Sequence, residues 1–176
     1  MRNTKSILAL AFIFLFSFQL GLSQGDPDNK YRFHKVFFYS FTKYVQWPPS
    51  NTKGDFVIAV LGDSEITPLL EEMAEIKKVG NNNIVVRQVS EENLNQRMNI
   101  LFVPASEQQQ FDKVKTSLKD KPVLLITEGK DLARNGSMIN FKDVDGKLRF
   151  EVNTANIEQA GLKVSQELVR FGEEIR

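Results

Sequence analysis

Residues 56–61, FVIAVL, are apolar at every position. A strand with one solvated face alternates apolar and polar residues, whereas a strand covered on both faces does not. The run therefore predicts a central strand sandwiched between helices. Three further strand runs follow at 84–89 (IVVRQV), at 99–103 (NILFV) and at 122–127 (PVLLIT). Helical patterns lie between them. Ile66, Leu69, Leu70, Met73 and Ile76 form a buried stripe, with Thr67 as its cap and Pro68 at the first helical position. Ser90 opens a short helix. Ser106 and Gln109 read as a capping box ahead of Phe111, Val114 and Leu118. Residues 130–134 read as one helical turn.

The pattern changes near residue 137. Residues 137–141 and 147–152 alternate, and Asp145-Gly146 between them is a strong hairpin signal. From Thr154 the apolar residues Ile157, Val164, Leu168, Phe171 and Ile175, with Gly161 among them, step by three and four. That spacing predicts one closing helix to the end of the chain. Gly161 inside it would cost about 1 kcal/mol against alanine, which suggests a close approach to a neighbouring element. The expected fold class is α/β: a single three-layer domain over residues 31–176. Its sheet is mixed and mostly parallel, with a C-terminal antiparallel hairpin at the edge and a closing C-terminal helix.

The first helix of that domain is unusual. Eight aromatics lie between Tyr31 and Trp47, including all three Tyr and the single Trp. Phe33, Phe37, Phe41 and Tyr44 follow helical spacing, and Val36, Phe38 and Val45 widen the stripe. Pro48-Pro49 ends the helix, because proline lacks the N–H and pushes its predecessor out of the α region. One helix face cannot bury so many rings, so this helix is buried on two sides or takes part in an interface. The expected contact residues are Phe37, Phe41, Tyr44 and Trp47, assisted by residues of the last helix.

Residues 1–23 carry Arg2 and Lys5, then a mostly apolar stretch from Ile7 to Leu20, then Gly21 and Ser23. This is the pattern of a cleaved secretory signal, and its apolar core is too short to span a bilayer. Residues 24–30 read as a flexible leader. Removing the signal takes two basic and no acidic residues, so the net charge moves from +1 to −1. That balance argues against nucleic acid or an anionic membrane as a partner. The chain has no Cys, which excludes disulfides, thiol catalysis and thiolate metal sites.

No constellation for chemistry stands out. His34 is the only His, which leaves transition-metal sites without a ligand set. There is no G-x-S-x-G, G-x-G-x-x-G or P-loop motif. Asp143-x-Asp145-Gly146 resembles the start of a calcium loop, but position twelve would be Thr154, and a hairpin turn explains the run. Glu71, Glu72 and Glu75 read as a solvated face. The expectation is a non-enzyme with no cofactor and no metal.

Several segments, in order, resemble the YfiR/HmsC-like periplasmic proteins. They are Phe41-Thr42-Lys43-Tyr44-Val45-Gln46-Trp47-Pro48, the strand at 56–62, NILFV, Pro122-Val123-Leu124 and Gly136-Ser137-Met138-Ile139-Asn140-Phe141. Phe150-Glu151-Val152-Asn153 and Ala160-Gly161-Leu162-Lys163-Val164-Ser165 complete the set. The resemblance implies a periplasmic regulator, often a homodimer, with no catalysis. It would bind the periplasmic domain of an inner-membrane signalling protein, a diguanylate cyclase in the best-understood members. Cyclic-di-GMP output and biofilm would follow. Redox control through cysteines, known in some members, cannot act here. The rival readings are an accessory subunit of another envelope sensor, such as a histidine kinase, a small-molecule binder, and a hydrolase whose site no motif marks. The second would use the rim at Gly62-Asp63-Ser64, Pro104-Ala105-Ser106 and Glu128-Gly129.

Overall fold

The apolar runs occupy the middle of one sheet. A computed structural model describes residues 27–175, so the expected signal at 1–23 and residues 24–26 of the leader lie outside the described residues. The helices are α1 (Pro27–Tyr44), α2 (Ile66–Ile76), α3 (Phe111–Ser117), α4 (Thr154–Gln159) and α5 (Gln166–Phe171). The first five strands are β1 (Val45–Gln46), β2 (Phe56–Leu61), β3 (Lys78–Val79), β4 (Asn82–Val89) and β5 (Ile100–Val103). Then come β6 (Leu124–Glu128), β7 (Ile139–Val144), β8 (Lys147–Asn153), β9 (Lys163–Val164) and β10 (Glu173–Ile175). Eight strands form a sheet in the order β10-β8-β7-β6-β5-β2-β4-β3. β4, β2, β5, β6 and β7 run parallel, and β7–β8 is an antiparallel hairpin. The fold class is the α/β class expected, with a mostly parallel mixed sheet.

Register explains the layers. Val60, Phe102, Ile126, Ile139 and Val152 lie side by side across five strands. They share the face on which α1 packs, where Phe38 meets Phe102 edge-on at 5.4 Å and Phe41 meets Phe150 at 5.4 Å. Side chains alternate along a strand, so Leu101 and Leu125 face the other way, and Leu125 shares a hollow with α3 and α4. All six residues of β2 and all four of β5 are buried, as two-sided cover requires.

Several local expectations need correction. α1 begins at Pro27, inside the segment 24–30 expected as a leader. Thr67 does not cap α2, which starts at Ile66. Ser106 and Gln109 form no capping box: Ala105–Gln110 is a 3-10 helix without a side-chain cap. Residues after Ser90 form only the 3-10 turn Glu91–Asn93. The single helical turn expected at 130–134 is closed by the Asn135 N–H on the Asp131 and Leu132 carbonyls, so that expectation needs no correction. The Asp145-Gly146 turn is as expected, with φ of 54° and 72°, and the Asp143 carboxylate accepts the Gly146 N–H at 2.8 Å.

The largest difference is at the C-terminus. The single closing helix does not form. α4 ends at Gln159, where Gly161 takes φ +75°. The Leu162 N–H then reaches the Ile157 carbonyl at 3.1 Å and the Gly161 N–H reaches Glu158 at 2.9 Å. This is a Schellman stop, with Ile157 and Leu162 both buried as its apolar clasp. A Cβ on Gly161 would meet nothing within 4 Å, so the glycine serves conformation and not close approach. The released chain pairs β9 with β1, Val164 opposite Val45, and the Ser165 N–H donates to the Tyr44 carbonyl at 2.9 Å. Ser165 caps α5, and β10 then adds to β8 in parallel. The hairpin is therefore not the edge of the sheet, because β10 covers it.

Candidate partner-contact surface

α1 sorts its rings by angle around the helix. Tyr31, His34, Phe38 and Phe41 point into the domain and are buried, as is Val45 of β1. His34 lies 4.9 Å from Tyr31 and 4.4 Å from Phe141, ring centroid to centroid, within this aromatic core. On one flank stand Phe33, Phe37 and Tyr44. Phe33 is 63% exposed, and Phe37 and Tyr44 are half-buried. Phe171 of α5, 67% exposed, leans on Tyr44 at 6.5 Å. The β1–β9 pairing brings these two elements together.

The four expected contact residues thus separate. Phe41 is fully buried, so its ring is core and not surface. Phe37 packs one edge on Phe150 at 5.1 Å and leaves the other toward solvent. Tyr44 stays on the exposed flank. Trp47 lies past the helix end, set edge-on to Phe56 at 4.9 Å, and its indole N–H donates to the Asn99 carbonyl at 3.0 Å. Asn99 is a buried hub: its side-chain oxygen accepts the Val57 N–H and its amide donates to Asn51, both at 2.9 Å. Trp47 therefore clamps the Pro48-Pro49 corner to the sheet. Sequence reasoning did not single out Phe33 and Phe171 as the exposed rings. Both sat in apolar series, and spacing alone does not say which member of a series faces out.

A second feature is a polar hollow of about 420 Å³ at the carboxyl ends of β6 and β7, with Gln108, Glu128, Gly129, Asn140, Lys142 and Glu151 among its walls. Its polar groups are tied to one another. Asn140 donates to the Gly129 carbonyl at 2.7 Å and to Glu151 at 2.9 Å, and accepts from Thr127 at 2.8 Å. Lys142 bridges Glu151 at 3.2 Å and Glu173 at 2.7 Å. The hydrogen bond to Glu173, with help from Glu151, raises the Lys142 pKa, and the same bond holds the Glu173 carboxyl below its usual range. The pair fastens β10 to the hairpin. Of the rim turns named from sequence, Ala105 and Glu128-Gly129 reach this hollow, while Gly62 is covered by the Glu107 side chain. Among the described residues no group of three His, Cys, Asp or Glu could hold a metal ion.

The YfiR/HmsC-like family model matches residues 31–173, from the first buried ring of α1 into β10. The chain belongs to the YfiR/HmsC-like family. No curated protein matches the chain. Family membership supports a periplasmic regulator of cyclic-di-GMP signalling, from a family of regulators not known as enzymes. Among the described residues, no helix of this YfiR/HmsC-like domain is long and apolar enough to cross a membrane.

Proposed function

We propose that this YfiR/HmsC-like chain is exported by residues 1–23 and restrains the periplasmic sensor domain of an inner-membrane diguanylate cyclase, without catalysis of its own. The observation that carries this reading is the aromatic flank of Phe33, Phe37, Tyr44 and Phe171. Large rings left exposed on two joined helices, beside a core already rich in aromatics, fit a protein–protein contact better than a solvated face. Trp47 and Phe41 support this flank from within. A histidine-kinase sensor in place of the cyclase would use the same surface.

Gene deletion is expected to raise cellular cyclic-di-GMP, and the intact chain to lower it again. The double variant Phe33→Ala/Phe171→Ala is expected to fold normally and fail to restore repression. An unchanged cyclic-di-GMP level after deletion would remove the cyclase from this reading. The polar hollow favours a second reading, a small-molecule sensor whose ligand modulates the contact. A thermal-shift screen with nucleotides and amino acids in which nothing raises Tm would count against it.

A further inference from the structure

The two edges of the eight-stranded sheet are built differently. β10 is three residues long, and its Glu173 and Glu174 are held by the Lys142 ammonium at 2.7 Å and the Thr154 hydroxyl at 3.3 Å. Short length and charge are how proteins blunt an edge. At the far side β3 is the outer strand, but it pairs only with Asn82 and Asn83 of β4. β4 continues to Val89, and among the described residues no strand pairs with its outer side from Ile84 onward. Successive peptide groups of a strand point to opposite edges. The Val89 carbonyl accepts the Gly62 N–H at 2.9 Å, so Val85, Arg87 and Val89 turn their backbone groups toward β2. Ile84, Val86 and Gln88 therefore turn theirs outward. Ile84 is buried, whereas Val86 is half-buried and Gln88 is exposed. The open stretch is thus Val85 to Val89, with the N–H and C=O groups of Val86 and Gln88 along its rim.

This edge lacks the protection that β10 has. From Ile84 to Val89 there is no Pro, Lys or acid. The one charge is Arg87, which is exposed and makes no ion pair among the described residues. Val86 stands beside Ile58, on the face that α1 covers, and Arg87 stands beside Ala59 on the other face. The chemistry of such a rim fixes what it accepts. Backbone donors and acceptors spaced along a strand match another extended backbone, whereas a helix has already paired its own. Arg87 then selects among strands: an acid beside it is attracted and a base is repelled. A second copy added through the same edge would set Arg87 opposite or diagonal to its own equivalent, like against like. We infer that the outer side of β4, from Val85 to Val89, is a strand-addition site for an extended segment of a partner protein, apolar or β-branched beside Val86 and acidic beside Arg87. Four strands separate β4 from β8, on which Phe37 packs, a span of about 24 Å at about 4.8 Å per strand. The site is therefore distinct from the aromatic flank and can be filled while that flank is engaged.

The test is fluorescence anisotropy of the labelled heptapeptide VTVEVTV with the full chain purified from envelopes. The Val side chains of this peptide share one face, and its Glu lies on the other. Saturable binding is expected. The Val86 N–H points away from β2, so Val86→Pro removes an outward donor and spares that ladder. It is expected to weaken binding by about tenfold or more. Arg87→Glu changes an exposed side chain and is expected to weaken VTVEVTV by about fivefold and strengthen VTVKVTV by about as much. N-methylation of the four Val residues, or instead of the other three, removes the donors along one edge of the peptide or the other. One methylated form is expected to bind and the other to fail, because a strand docks through a single edge. A wild type that does not bind VTVEVTV overturns the inference. So does binding that a folded Val86→Pro leaves intact, that both methylated forms keep or both lose, or whose preference Arg87→Glu leaves unchanged. Circular dichroism checks the fold of each variant, and the Arg87 variant and methylated peptides decide the matter even where the proline variant fails to fold.

Discussion

α1 runs unbroken for 18 residues, whereas the chain from Thr154 to Ile175 passes through two six-residue helices and two short strands. Both carry apolar residues at steps of three and four. The difference lies in their stops. No Gly or Pro interrupts α1 between Pro27 and its end, while Gly161 and Gly172 each close a short helix. The freed backbone then finds better partners than helix continuation offers. β9 closes onto β1 and β10 completes the sheet beside β8. The two regions meet at Tyr44 and Phe171, so the broken segment is what positions the second half of the aromatic flank.

The comparison can be broken most sharply inside α1. Phe41→Ala removes a fully buried ring and is expected to cost about 3–5 kcal/mol in chemical denaturation. Phe33→Ala, on the exposed flank, is expected to stay within about 0.5 kcal/mol of wild type. Equal losses at the two positions would end the division of α1 into buried and exposed faces. The next largest effect belongs to Gly172. A Cβ there would lie 2.6 Å from a Phe150 ring carbon and 2.8 Å from a Val152 methyl. Gly172→Ala is expected to cost about 1–3 kcal/mol, the range for overpacking, and to speed amide exchange in β10.

Gly161→Ala tests the stop itself, and its sign is diagnostic. In a continuous helix the substitution would stabilise by about 1 kcal/mol. At φ +75° it is expected to destabilise by about 1–2 kcal/mol in the same denaturation experiment. The smallest effect is the latch at Lys142. Glu173 has a lowered pKa, so its contribution is present above the unfolded value and fades as pH falls through the folded one. Lys142 has a raised pKa, so its contribution holds below the unfolded value and is lost as pH rises through the folded one. The protection factors of the β10 amides, which divide out the intrinsic pH dependence of exchange, should therefore be highest across neutral pH and fall at both extremes. Glu173→Gln should flatten the acid limb, and an unchanged acid limb in that variant would remove Glu173 as the latch.

Much of the sheet was legible because two-sided burial writes itself as unbroken apolar runs, and the Asp145-Gly146 turn because its φ angles need those residues. The stop at Gly161 was also readable. Asn153 as a cap, Ile157 and Leu162 flanking Gly161, and Ser165 as the next cap together spell a short helix, a Schellman turn and a restart. The seam of apolar residues overrode that signal. The role of Trp47 was not legible, because its partner Asn99 is 52 residues away.

The amino-acid sequence by itself determined the α/β class, the order of the central elements, the absence of thiol chemistry and the family. These depend on local pattern and composition, which each segment carries alone. Only the tertiary structure decided which rings of α1 are core and which are surface, that β10 and not the hairpin forms the edge, and that β4 keeps its outer side open. Those outcomes depend on what distant segments bury or leave open. A ring has the same sequence spacing whether a strand covers it or water does.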